Sequence, residues 1–126
     1  MSIRTPLGQV RGLGAARNGT AHWWMQRLTA VALIPLGIWL LASLVALVGA
    51  DHATVVAWLD RPVPAILMIL MVTAGFYHLK LGLQVVIEDY VNAESSKLIL
   101  QVLVNFACIG FGFACVFAVL KIALGS

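Results

Sequence analysis

Charged residues are scarce in this chain of 126 residues, since only 10% are Asp, Glu, Lys or Arg while 62% are hydrophobic. The mean hydropathy of +1.00 is more than a soluble domain of this length carries on its surface. The scarcity of charge therefore predicts an all-α membrane protein, a single domain over residues 1–126. No room is left for a soluble catalytic domain, so we expect a chain that is non-catalytic alone and depends on a cofactor or partner chains.

Cysteine is almost missing, and Cys108 and Cys115, the two that occur, both lie in the last apolar segment. On one helix they stand two turns apart, about 10 Å, which is too far for a disulfide. We predict that both are small apolar packing residues. The first apolar segment also lacks the features of a cleaved signal peptide, which has a short apolar core followed by a small-residue cleavage pattern. We therefore expect this segment to stay in the mature protein.

Apolar runs predict three transmembrane helices, at approximately residues 24–49, 63–90 and 97–121. Residues 1–19 lack apolar periodicity and predict a poorly ordered or partner-bound arm, and residues 49–62 predict a connector with a short interfacial helix. Pro35 is a possible kink in the first span. Ser95-Ser96 is expected to cap the third helix, where Gly110 and Ala114 offer a small-residue face for packing.

Four arginines, at positions 4, 11, 17 and 27, supply much of the net charge of +3 and precede the first span. Such a cluster favours a cytoplasmic N-terminus and lipid contact over nucleic-acid binding, so we expect no nucleic-acid partner. Three spans then place the C-terminus on the opposite, periplasmic side. The consequence is that Arg27 and the Asp89-Tyr90 pair share the cytoplasmic face of the membrane.

His78 is an ionisable residue inside the second span, which makes it a functional candidate. At about 100° per residue, Gly75, Gly82, Val85 and Asp89 fall within about 60° of it, so a planar macrocycle could lie on this stripe. A neutral imidazole is a good axial haem ligand. A histidine hydrogen-bonded to a neighbouring helix is an equally good interpretation. A haem with two histidine ligands would need the second from another chain, because His22 and His52 lie outside the spans.

Further candidate residues lie near the membrane face that holds Asp89 and Tyr90. Tyr90 offers a phenolic donor and Asp89 a carboxylate, a pair that can hold and protonate a quinone carbonyl. Arg27 could pair with carboxylates or lipid headgroups, or could be an ordinary interface arginine. The Trp23-Trp24 pair after His22 is typical of an aromatic interface anchor. Lys80 points about 160° away from His78, toward lipid or a partner.

The order His-x-x-x-Gly at 78–82, then Asp-Tyr at 89–90, then a third span, resembles the small hydrophobic membrane-anchor subunit of succinate dehydrogenase. Arg17-Asn18-Gly19, His22 and Arg27-Leu28-Thr29-Ala30 resemble the same family's pattern before the first span. Together these features cover most of the chain. The combination of three spans, a mid-span histidine and a terminal Asp-Tyr pair is more specific than any of its parts.

The resemblance implies a subunit of succinate:quinone oxidoreductase, complex II, in a bacterial inner membrane. Two anchors would form a haem-containing helix bundle that holds a flavoprotein and an iron-sulfur subunit. His78 would be one axial ligand of haem b, and the larger cytochrome b anchor would supply the other. Tyr90 would bind ubiquinone with Asp89 in support, and Arg27 and His22 resemble groups near the haem propionates and quinone pocket. The alternatives are a fumarate reductase anchor on the same scaffold, or a non-redox small membrane protein.

Overall fold

Four helices make up the fold in this computed structural model, which describes the backbone of residues 15–125 and the side chains of residues 20–125. They are α1 (Ala15–Ala46), α2 (His52–Leu59), α3 (Pro62–Tyr90) and α4 (Glu94–Leu124). Three stretches are long and apolar enough to cross a membrane: Thr20–Ala46, Pro62–Tyr90 and Glu94–Leu124. The prediction of an all-α membrane protein with three spans is therefore confirmed.

The predicted N-terminal arm falls mostly outside the described residues, but its last part was predicted wrongly. α1 already begins at Ala15, within the segment 1–19 that was expected to lack regular structure. Ala15, Ala16 and Arg17 are good helix formers, which outweighs the cost of about 1 kcal/mol for Gly19 within the helix. α1 also continues as one helix across Pro35.

The connector turns sharply at Gly49, whose φ of +81° lies in the left-handed region that favours glycine. Asp51 then caps α2 by accepting a hydrogen bond of 2.9 Å from the Thr54 backbone N–H. Hydrogen bonds from the Thr54 side chain and backbone hold the pKa of the Asp51 carboxyl below its ordinary value. The Trp58 ring of α2 stacks on Trp39 of α1, with ring centroids 5.8 Å apart. The predicted short helix is thus tied to the first span.

The start of α4 corrects the prediction that Ser95-Ser96 would cap it. The helix begins earlier, at Glu94, with Ala93 in the N-cap position and no side-chain cap. A carboxylate in the first turn interacts favourably with the positive end of the helix dipole. Glu94 therefore favours a helix that starts before the serines, and the loop after α3 shrinks to residues 91–93.

α3 lies between the other two long helices, and in the part of the chain that the structure describes α1 and α4 do not contact each other. A close approach of α3 and α4 occurs at Gly112, where an added Cβ would lie 3.6 Å from Phe76 Cβ. The predicted Gly110 and Ala114 face is instead exposed. Cys108 and Cys115 are both free, in agreement with the prediction of no disulfide.

Few apolar side chains are buried between these helices. The buried hydrophobic residues are Ala65, Leu81, Ile87, Cys108 and Val119, whereas Ile38 is 65% exposed and Phe113 72%. In a membrane protein such surfaces face lipid tails or the helices of other chains. Each long helix therefore offers apolar surface to the membrane or to a partner.

Candidate functional site

His78 lies on the face of α3 that packs against α1, and it is hydrogen-bonded across that contact. Its Nδ1 is 3.0 Å from Oγ1 of Thr29, which is 7% exposed. Twelve residues separate His78 from Tyr90 and sixteen separate it from Pro62, rises of about 18 Å and about 24 Å. Because the hydrocarbon core is about 30 Å thick, the imidazole lies in the interior of the span rather than at its ends.

A polar stripe on α1, formed by His22, Gln26 and Thr29, faces this part of α3. The three residues follow at i, i+4 and i+7, the spacing of one helix face. Nε2 of His22 and Oε1 of Gln26 are buried and have no hydrogen-bond partner among the described residues. Buried polar atoms are almost always hydrogen-bonded. The stripe can therefore take a polar group from a ligand or from another chain.

The two glycines near His78 have different surroundings. A Cβ added at Gly82 would meet Nε2 of Gln26 at 3.8 Å, whereas one added at Gly75 would meet nothing within 4 Å. The space beside Gly82 is thus used by α1, whereas the space beside Gly75, about one turn before His78, is open. Of the two glycines on the His78 stripe, Gly75 is the one that leaves room for a further group.

We expect Gly82→Leu to separate α1 from α3 and to lengthen the contact between Thr29 and His78. The longer side chain would meet the Gln26 amide, and overpacking of this kind costs about 1–3 kcal/mol. The thermal midpoint of the purified complex in detergent measures this loss. Gly82→Ala is the matched control, because 3.8 Å is an ordinary van der Waals distance. Equal midpoints for the leucine and alanine variants would contradict a tight approach at Gly82.

Arg27 is not brought together with His78. It precedes Thr29 by two residues, a rotation of about 200° around α1. Arg27 is exposed, and its guanidinium lies 5.0 Å from the centroid of the Trp23 ring. The Trp23 and Trp24 rings meet edge to face at 5.0 Å. This cluster lies on the outer side of α1, where lipid headgroups or a second chain can reach it.

Asp89 and Tyr90 end α3, and both are exposed, with Tyr90 at 81%. Asp89 is within about 20° of His78 around the helix axis, whereas Tyr90 is about 120° away. The carboxylate of Glu88 accepts a hydrogen bond of 3.3 Å from Gln84 Nε2. The Asp89 carboxylate and the Tyr90 phenol are therefore accessible to a ligand at the end of the span.

An apolar groove of about 420 Å³ lies between α3 and α4, on the side of α3 away from His78. Lys80 and Tyr77 line it from α3, and Phe113 lines it from α4. The Lys80 ammonium lies 5.5 Å from the centroid of the Tyr77 ring. Tyr77 is about one turn nearer than Lys80 to the start of α3. The groove is separate from the His78 face, so it adds nothing to the candidate site.

Gln26 and the role of Thr29 were missed at the level of sequence. The sequence predictions include Thr29 only within the segment 27–30, and they assign no role to Gln26. A signal was available in the spacing of the polar residues at positions 22, 26 and 29, which share a face of an otherwise apolar helix.

Comparison with known proteins identifies the family of this chain. The profile described as "Succinate dehydrogenase/Fumarate reductase transmembrane subunit" matches residues 1–114. The succinate dehydrogenase hydrophobic membrane anchor subunit of Paracoccus denitrificans is 32% identical over 128 residues, covering 100% of this chain and 97% of the relative. The subunit of the same name from Rickettsia bellii is 34% identical over 95 residues, covering 75% and 76%. No solved structure gives a significant match.

Three membrane-spanning helices among the described residues, with a polar contact between two of them, define the chain as a multi-pass membrane protein. The chain belongs to the succinate dehydrogenase/fumarate reductase transmembrane subunit family. Within that family its role is that of a membrane anchor subunit of succinate dehydrogenase, which its similarity to the anchors of Paracoccus denitrificans and Rickettsia bellii supports.

Proposed function

We propose that this anchor subunit supplies one axial ligand of a haem b through His78 and forms one wall of a ubiquinone-reduction site with Tyr90 and Asp89. The observation that carries the proposal is the position of His78 in the interior of a span, with Nδ1 engaged by Thr29. A histidine that ligates a metal usually makes a hydrogen bond with its other ring nitrogen. The two interpretations of His78, hydrogen-bonded residue and ligand, are therefore compatible.

The residues around His78 fit a haem better than a bare metal ion. Among the described residues no three His, Cys, Asp or Glu side chains come together. Haem iron takes its equatorial ligands from the macrocycle, so it needs one residue from this chain and one from a partner. Open space beside Gly75, and polar atoms of His22 and Gln26 that have no partner among the described residues, suit a planar group with polar substituents. When bound, such a haem would supply a one-electron carrier within the membrane.

Tyr90 and Asp89 fit the quinone chemistry that we propose. Reduction of a quinone to a quinol takes two electrons and two protons; the electrons would come from an iron-sulfur partner. The Tyr90 hydroxyl would donate a hydrogen bond to a quinone carbonyl, and Asp89 would pass protons from the aqueous phase. Both groups are exposed at the end of α3, where water and a soluble partner can reach them. Arg27, exposed on the outer side of α1, would contact the partner subunits.

The partners that we propose are a larger cytochrome b anchor, an iron-sulfur subunit and a flavoprotein, all held at a bacterial inner membrane. The exposed apolar faces of the spans leave area for a second anchor. The N-terminus would face the cytoplasm and the C-terminus the periplasm, because arginines cluster before the first span. A fumarate reductase anchor is the second candidate, since the family includes both enzymes.

The test is a reduced-minus-oxidised spectrum of the complex purified through a tag on this chain, with the subunits identified by mass. We expect a b-type haem, a flavoprotein, an iron-sulfur protein and a second anchor. Assays of the same membranes with ubiquinone and with menaquinone distinguish a succinate dehydrogenase from a fumarate reductase. A complex that contains the soluble subunits but no dithionite-reducible haem would overturn the role of His78.

A further inference from the structure

We infer that Thr29 is a positioning residue for His78, an inference that rests on the proposed haem ligation. Its hydroxyl accepts a hydrogen bond from the Nδ1–H of His78 and so leaves the Nε2 lone pair available for axial ligation. Thr29 is thereby part of the site, and the imidazole of His78 is the tautomer with its hydrogen on Nδ1.

The direction of this hydrogen bond follows from the single proton of the threonine hydroxyl. Oγ1 of Thr29 lies 2.8 Å from the Met25 carbonyl oxygen and 3.1 Å from that of Gln26. Two oxygen atoms at 2.8 Å attract only when a hydrogen lies between them, and a carbonyl has no hydrogen to give. The Thr29 proton is therefore donated to the backbone of α1, a common arrangement for a helical threonine.

The threonine oxygen then has only lone pairs to offer to His78. Since Nδ1 is 3.0 Å from it, the hydrogen of this bond must come from Nδ1. An imidazole that ligates a metal is neutral, and a neutral imidazole carries one N–H. With that hydrogen on Nδ1, Nε2 keeps the lone pair that metal ligation requires.

The surroundings of the contact fix its geometry. Thr29 is 7% exposed, and its branched side chain has few rotamers in a helix. A neutral hydroxyl is a weaker acceptor than a carboxylate. The hydroxyl therefore orients the ring and selects the tautomer without drawing the Nδ1 proton away from it.

The experiment compares variants of the purified complex by haem release and by electron paramagnetic resonance of the oxidised haem. Thr29→Val keeps the shape of the side chain and removes the hydroxyl, whereas Thr29→Ser keeps the hydroxyl. The loss of a group that orients a ligating histidine weakens metal binding about 10–100-fold. We expect Thr29→Val to release haem to excess apomyoglobin about 10–100-fold faster than wild type and to shift the resonance, and Thr29→Ser to behave as wild type.

Thr73→Val is the matched control, because it removes an exposed hydroxyl from α3 that lines the groove away from His78. It should release haem at the wild-type rate. Thr29→Ala replaces Thr29→Val if the valine variant fails to assemble, since a smaller side chain cannot clash. Equal release from the serine variant and the variant without the hydroxyl would overturn the inference.

The outcomes also separate this inference from the proposed function. A wild-type complex without haem, or haem that is unaffected by His78→Ala, would remove the ligation on which the inference rests. Haem that depends on His78 but keeps its release rate and resonance in Thr29→Val would leave the proposed function intact and overturn the role of Thr29 alone.

Discussion

Replacing His78 with alanine is expected to abolish the normal b-type haem spectrum of the complex. The substitution removes the one imidazole that the structure holds in the interior of α3, and methyl cannot ligate iron. We expect haem retention to fall by more than the roughly 10–100-fold that a lost orienting partner causes. The measurement is the haem-to-protein ratio of the purified complex, together with its reduced-minus-oxidised spectrum.

His52→Ala is the control for this variant, since His52 is exposed at the start of α2 and outside the spans. Its complex should keep the wild-type haem content and spectrum. A nearby group can replace a lost axial ligand, so the spin state and the midpoint potential are recorded as well. If content, spin state and potential all match the wild type in His78→Ala, this chain does not ligate the haem.

The three spans could be predicted from sequence because each is a long apolar run with charged residues at or near its ends. Hydropathy alone is enough to locate such segments, because a helix needs about 20 apolar residues to span the hydrocarbon core. The neighbours of the helix need not be known. The helix ends depend on more than hydropathy. α1 begins at Ala15 and α4 at Glu94, because local helix propensity and a carboxylate in the first turn extend these helices past their apolar cores.

The pairing of helix faces could not be predicted in the same way. Most of the surface of a spanning helix is apolar, so hydropathy marks the side that packs against a neighbour only where polar residues interrupt it, as His22, Gln26 and Thr29 do on α1. His78 was identified because an ionisable residue in a span is rare, but its contact with Thr29 depends on the register between α1 and α3. The same register places Gln26 against Gly82 and turns Arg27 away from His78.

The distribution of polar groups explains why this chain is incomplete by itself. The His78 face is closed on one side by α1, whereas Asp89 and Tyr90 stand open at the end of α3. Buried atoms of His22 and Gln26 lack partners among the described residues, and such atoms are costly unless another molecule satisfies them. The proposed haem and the partner subunits would complete these two regions.

Replacing Tyr90 with phenylalanine is expected to slow ubiquinone reduction while leaving the haem in place. The change removes a single hydroxyl from a side chain that is 81% exposed, so the fold has little to lose. A positioned proton donor contributes about 10²–10⁴-fold to a rate. We therefore expect the rate of ubiquinone reduction to fall by at least about 10²-fold. The measurements are succinate:ubiquinone activity and, in parallel, succinate oxidation with a soluble dye that accepts electrons from the soluble subunits.

Tyr77→Phe is the matched control, because Tyr77 and Tyr90 are the two tyrosines of the chain and Tyr77 lines the groove beside Lys80. We expect Tyr77→Phe to keep both activities and Tyr90→Phe to lose only the one that uses ubiquinone. A parallel loss of dye reduction would instead indicate that Tyr90 holds the soluble subunits on the membrane. Unchanged ubiquinone kinetics in Tyr90→Phe would show that the phenol does not bind the quinone, and would direct the search for the donor to the partner chains.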